Sequence, residues 1–177
     1  QNGGALAVNI FDNFKDLKKR PVIIGELHSM LAPIVFNIKR DQQGKCISYI
    51  MTDGGALPLD FSSSVDYLKK NRLIKGTITF GQAFGGDLET VNVYTALIAA
   101  FEILKSDIAI ITMGPGITGT GTKYGFSGIE QGPIIDAVNT LGGRPIFVPR
   151  ISFTDNRKRH QGISHHSITV LRDVCKT

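Results

Sequence analysis

Three of the four histidines in the chain fall within seven residues, in the run Asp155-Asn-Arg-Lys-Arg-His160-Gln-Gly-Ile-Ser-His165-His166. An imidazole titrates near neutral pH and binds metals through a neutral ring nitrogen. His160, His165 and His166 are therefore candidate catalytic residues for proton transfer. In the same run the planar guanidinium forks of Arg157 and Arg159 match phosphate or carboxylate oxygens and are candidate ligand-binding groups. A basic surface loop with incidental histidines is the plainer alternative, and the density of titratable groups weighs against it. His165 and His166 are adjacent, so on an extended strand they would face opposite sides; both reach one ion only from an irregular segment.

A second constellation is the run Gly114-Pro-Gly-Ile-Thr-Gly-Thr-Gly-Thr122. Glycines let backbone N–H groups approach an anion and adopt left-handed conformations. Gly114, Gly116, Gly119 and Gly121, with hydroxyls from Thr118, Thr120 and Thr122, form a candidate loop for a small anion. The run lacks the Gly-Lys-Ser/Thr ending of a P-loop, and no acidic residue follows at the position that ribose recognition needs. The alternative is a turn that simply requires tight backbone geometry.

Glu26 and His28 are a third pair. Two residues apart, they point the same way if the chain is extended. With His160 and His165 they could hold a divalent metal, although no compact H-E-x-x-H motif is present. A capping glutamate and a partly buried histidine at a helix start explain them equally well. Asp53 and Asp87 close turns at predicted strand ends and are second-rank ligand-binding candidates, since most such aspartates cap helices or form Asx turns. Glu89 and Glu130 have weaker support at the same rim.

The elements that must position these residues alternate. Residues 21–25, 46–52, 76–80, 107–112 and 145–150 read as short apolar strands. Between them, residues 27–38 (Pro33 a possible kink), 62–71, 87–105 and part of 126–141 read as helices. Asp87 is expected to cap the third, whose apolar face is Val91, Leu97, Ala100 and Leu104; Gly142-Gly143 is expected to end the fourth. A short helix is expected within residues 1–20. This alternation predicts a single α/β domain over residues 1–177, three-layered, with a mostly parallel, doubly wound sheet of Rossmann-like or flavodoxin-like type. In such sheets ligands bind beyond the carboxyl ends of the strands, so the loops after residues 52, 80, 113 and 150 should share one edge.

Composition narrows the rest. The chain has 177 residues, 42% hydrophobic and 20% charged, enough to bury a core. Its net charge of +5 suits an anionic partner. Nucleic acid ranks last among such partners, because aromatics do not interleave the basic residues and no recognition motif is present. No apolar run has transmembrane length, so no membrane partner is expected. Cys46 and Cys175 are isolated, which fits a reducing cytoplasm. A homo-oligomer is compatible with the sequence.

The runs Gly25-Glu-Leu-His-Ser-Met30, Gly81-Gln-Ala-Phe-Gly-Gly-Asp87, Gly114 to Thr122 continuing to Gly125-Phe126, and Arg159-His-Gln-Gly-Ile-Ser-His-His166 together resemble an uncharacterised bacterial family known only as a domain of unknown function. The resemblance spans residues 21 to 172. Members of that family are longer, with sequence ahead of this region, which suits a chain that begins at Gln1. The resemblance implies a shared site and carries no activity, substrate or cofactor. Three functions remain open at this point: an enzyme acting on a small phosphate, nucleotide or carboxylate; a non-catalytic nucleotide or metabolite sensor; and a metal-dependent hydrolase.

Overall fold

The structure, a computed structural model, describes residues 3–52, 54 and 58–177. Asp53, a candidate ligand-binding residue, lies outside them. The described elements run α1 (Gly3–Asp12), β1 (Pro21–Gly25), α2 (Leu31–Asp41), β2 (Ile47–Thr52), α3 (Ser63–Lys70), β3 (Gly76–Phe80), β4 (Leu88–Thr90), α4 (Val93–Ile98), β5 (Ile108–Met113), α5 (Gln131–Thr140), β6 (Arg144–Val148), β7 (Ile151–Ser152), β8 (Gly162–Ile163) and α6 (His165–Thr169). α4 continues as a π-helical stretch over Ala99–Ile103, and α6 does so over Val170–Val174.

Period-two alternation sorts the strand side chains into two layers. Ile47, Tyr49 and Met51 of β2, with Ile108 and Ile110 of β5, pack against Leu31 and Val35 of α2 and Val65 and Leu68 of α3. The intervening Ile50, Ala109 and Ile111, with Val22 and Ile24 of β1 and Ile78 of β3, meet Ala96 and Leu97 of α4, Ile134 and Val138 of α5, and Val170 beyond α6. Every residue of β2 and β5 is buried, so these two strands form the spine of a three-layer sandwich. Among the described residues the main sheet has the order β4-β3-β2-β5-β1-β6, with all five pairings parallel; β7 and β8 form a separate antiparallel pair. The expected doubly wound, Rossmann-like α/β architecture is present, although this order is neither 3-2-1-4-5-6 nor 2-1-3-4-5.

The order creates the crevice. β5 is flanked by β1 and β2. The helices that follow β1 and β2 pack on one face, whereas α5, which follows β5, packs on the other. Connections that leave neighbouring strands in opposite directions open a cleft at the carboxyl edge.

Local chemistry explains most element ends. Ser62 accepts a hydrogen bond from Val65 N at 3.1 Å and caps α3, at the start of the helix expected over 62–71. Pro33 lies in the first turn of α2, where its missing N–H costs nothing, so it starts the helix rather than kinking it. α5 ends in paired bonds from Gly142 N to Asn139 O and Gly143 N to Val138 O, both 2.9 Å, with Gly142 at φ +72°.

The segment expected to be a helix over 87–105 differs. Residues 88–90 are instead the edge strand β4, and the helix begins at Val93 behind an Asn92–Thr95 capping box. Residues 81–87 carry the chain back from the carboxyl end of β3 to its amino end, where Asp87 accepts from Thr77 N at 2.8 Å and Thr77 Oγ1 at 2.9 Å and pairs with Lys69 at 2.6 Å. Asp87 therefore caps no helix and stands at the edge opposite the crevice. Val91, expected on the apolar face of the helix, precedes it and is 82% exposed, whereas Leu97 is fully buried. Leu97→Ala is expected to lower unfolding free energy by about 2–5 kcal/mol and Val91→Ala by less than about 0.5 kcal/mol. Urea denaturation of both variants checks the assignment.

Candidate functional site

The C-terminal run turns back across the sheet after β6. Residues 158–160 form a 3-10 turn, Gly162 and Ile163 pair with β7, and Ser164 caps α6, accepting from His166 N at 3.2 Å. His165 and His166 are thus the first two residues of a helix, which sets their directions about 100° apart rather than opposed. Their rings meet edge to face at 4.4 Å between centroids, and the His160 ring stands 5.0 Å from each. One ring nitrogen from each of the three lies within 4.8 Å of the others.

Each ring is held by a different neighbour. His160 Nδ1 is 2.8 Å from Ser164 Oγ. His166 Nδ1 is 2.5 Å from Glu26 Oε1, an ion-pair geometry between a buried carboxylate and a buried imidazole. The Phe126 ring lies flat on His166, 3.9 Å between centroids and 3° from parallel. The His165 side chain makes no hydrogen bond among the described residues, and its Nε2 is buried; the second Glu26 oxygen, Oε2, is also buried without a partner. Burial, reinforced by the nearby guanidinium groups of Arg150 and Arg157, pushes His160 down to about 4. Burial, then the neighbouring His166 and Arg159, lowers His165 as well.

The glycine-rich run reaches this cluster. A Cβ built on Gly119 would sit 3.9 Å from His166 Nε2, and one on Gly121 would sit 3.7 Å from the Arg159 guanidinium. Gly119 bridges to Phe126, so the run folds back as a small clasp. Gly116 and Gly121 adopt φ +107° and +80°. Two of the three threonine hydroxyls are spent inside the clasp: Thr120 Oγ1 donates to Gly125 O at 3.2 Å and lies 2.9 Å from Thr122 Oγ1. Thr118 is braced through its backbone by Ser127. Gly114, at the base of the run, is buried against Met51.

The two arginines differ. Arg157 forks onto Asp155 through Nε and a terminal nitrogen at 3.0 and 2.9 Å, and this contact holds the Asp155 carboxyl far below its usual range. Arg159 is exposed and has no ion pair among the described residues.

Glu26 and His28 part company. The chain bends after Gly25 and enters a 3-10 turn at His28, so the extended geometry that would aim them together is absent. Glu26 joins His166. His28 Nδ1 lies 3.1 Å from Tyr49 Oη, Tyr49 Oη 3.0 Å from Thr112 Oγ1, and Thr112 donates to Met113 O at 3.1 Å. Ser62 Oγ is 2.6 Å from His28 Nε2. Read from its carbonyl end, this chain makes His28 Nδ1–H a donor and its Nε2 an acceptor, a neutral imidazole with both nitrogens occupied. Burial, only partly offset by the Met113 backbone carbonyl, lowers His28 accordingly.

Glu26 and His28 do line one cleft of about 310 Å³ with Ser29, Ser64 and residues 113–117, at the carboxyl ends of β1 and β5. A hollow beside α1 lies away from these residues, and another beside α3 is lined by Ser62, the partner of His28. Of the weaker candidates, Glu130 accepts from Thr52 Oγ1 at the end of β2, and Glu89 accepts from Gly85 N at 3.0 Å.

Sequence reasoning missed Phe126, Ser164 and Gly128. Ser164 was visible as a helix cap before two histidines. Gly128 gives no local signal, yet a Cβ there would stand 2.7 Å from Glu26 Cγ. No helix among the described residues is long and apolar enough to cross a membrane.

Comparison with known proteins gives a family and no activity. The chain belongs to the family described as protein of unknown function (DUF3866), whose model matches residues 4–177. No curated protein and no solved structure matches it.

Two outcomes follow from this geometry. Gly128→Ala should push Glu26 off His166 and cost about 1–3 kcal/mol, read as a lowered thermal midpoint. His28 and His160 bind a proton less readily folded than unfolded, so stability should be full above about pH 6.5 and fall as pH drops towards about 4. Thermal midpoints measured across that window check the sign, and His28→Asn should flatten part of the slope.

Proposed function

We propose that this domain is an enzyme that binds a small anionic metabolite, bearing a phosphate, nucleotide or carboxylate group, at the carboxyl edge of the sheet. The observation that carries the reading is the meeting of the glycine-rich clasp with the C-terminal run. Gly121 lies against the unpaired Arg159 guanidinium while Gly119 lies against His166. Backbone donors and a free guanidinium are the groups that recognise a small anion. Arg159 takes the larger part in this reading, because Arg157 is already neutralised by Asp155. The histidine trio beside the anion supplies the reactive groups. Two buried imidazoles, a third partly buried and a buried carboxylate are costly to assemble and exceed what simple anion capture requires. Neither Asp87, at the opposite edge, nor His28, with both nitrogens occupied, takes part.

Calorimetric titration with inorganic phosphate, nucleotides and small dicarboxylates tests the reading. Binding of one of these should weaken by about 10-fold or more in Arg159→Ala, the loss expected when a charged hydrogen bond of about 1.5–3 kcal/mol is removed. Equal binding by Arg159→Ala would overturn the placement of the ligand. Once a turned-over compound is found, His165→Gln should abolish turnover. A ligand that binds tightly and is never turned over would make the domain a sensor instead.

A further inference from the structure

We propose that His160, His165 and His166 form a binding site for one divalent transition-metal ion of the zinc class, with Glu26 orienting His166 as its carboxylate partner. This deepens the reading above by naming what the trio does, and it rests on that reading only for the ligand that would complete the ion's coordination.

The division of labour within the cluster is the first argument. Two of the three histidines have Nδ1 occupied, His160 by Ser164 Oγ and His166 by Glu26 Oε1. Among the described residues no hydrogen bond takes up either Nε2. A histidine that donates Nδ1–H to a carboxylate or hydroxyl presents a lone pair at Nε2, which is how metal-bound histidines are commonly fixed in tautomer and direction. Phe126 stacked on His166 holds that ring's plane as well.

Unpaired buried atoms are the second, independent argument. His165 Nε2 and Glu26 Oε2 are both buried with no partner. Each such group costs about 1–3 kcal/mol when left unsatisfied, and few survive in folded proteins without a ligand or ion to explain them. A cation among the three rings gives His165 a partner. It also places positive charge beside the carboxylate that His166 alone only half satisfies.

Ligand chemistry sets the class of ion. Three imidazole nitrogens suit zinc and its neighbours and disfavour calcium and magnesium, which take oxygen. Both cysteines lie outside the trio, so no thiolate closes the site. Three protein ligands leave a tetrahedral ion one open position, the pattern of catalytic rather than structural zinc. Gly119, which has no side chain to fill the space beside His166 Nε2, borders that position. Water or an oxygen of the bound anion would complete it, and Arg159 adds to the positive field that attracts the anion. Ring nitrogens up to 4.8 Å apart must draw in on loading, because tetrahedral bonds of about 2.0–2.1 Å place them roughly 3.4 Å apart.

The test uses the whole untagged chain, stripped with a chelator, loaded with zinc or cobalt(II) and dialysed. Elemental analysis should find one ion per chain, and the cobalt form should show the visible absorption of a tetrahedral nitrogen–oxygen site. His165→Ala should retain little metal. Glu26→Gln should bind about 10- to 100-fold more weakly, the usual loss when an orienting partner is removed. His28→Asn, outside the trio, should bind as the parent does, and circular dichroism checks that each variant is folded. Retention far below one ion per chain overturns the proposal, as does undiminished retention by folded His165→Ala. Phosphate titration of the stripped protein separates the two readings. Arg159-dependent phosphate binding with no metal uptake removes this proposal alone. Metal uptake with no anion binding, stripped or loaded, removes the anion reading alone.

Discussion

The Glu26 side chain is fully buried at the carboxyl end of β1, and one of its oxygens meets His166, which lies 140 residues further along the chain. Most of the site depends on this contact. It ties the first strand of the sheet to the first turn of α6, and through Ser164 it fixes the relation of His166 to His160. Breaking a buried pair by removing one partner costs about 3–5 kcal/mol, because the survivor is left charged or unpaired in a poorly solvated place. Gly128 is part of the same constraint, since its missing side chain is the space Glu26 occupies. Phe126, two residues earlier, covers His166 from the other side.

The sheet makes this contact possible through its strand order. β5 lies between β1 and β2, so the run that leaves β5 rises next to Glu26 and passes over the C-terminal segment. Had β5 been added at an outer edge, the glycine-rich run would leave the sheet two or more strands away from β1. The same order keeps the two histidine networks apart. His28 turns towards α3 and the layer containing Tyr49, while Glu26 turns towards α5 and α6. Two residues separated by one position thus serve opposite sides of a single cleft.

Much of the fold was legible because parallel strands inside a sheet must read as short apolar runs, and β1, β2, β3 and β5 all do; β6, a partly exposed edge strand, reads the same way. Helix boundaries followed where a capping residue was present, at Ser62 and at Gly142. The reading failed over 87–92, where Asp87 looked like a cap. An aspartate after a strand has the same local pattern whether it caps a helix or clasps a neighbouring strand, and only the return of residues 81–87 to the amino end of β3 decides between them. Glu26 and His28 failed for a related reason. Their spacing implies a shared direction only if the chain stays extended, and the 3-10 turn at His28 ends that.

The sequence by itself determined the α/β architecture, the concentration of histidines and arginines between residues 155 and 166, the glycine-rich run after β5 and the family to which the chain belongs. These are properties of composition and short-range periodicity, which local sterics and burial impose directly. Tertiary structure alone decided which groups meet: that Glu26 rather than His28 joins the histidines, that Arg159 rather than Arg157 keeps its charge unpaired, that Asp87 stands at the far edge, and that Phe126 and Gly128 wall the site. Apart from the Arg157–Asp155 fork, which spans two residues, these contacts join residues well separated in the chain, and strand order and crossover direction set them. No local pattern carries that information, because a crossover can place the next strand on either side of the last at little difference in local energy.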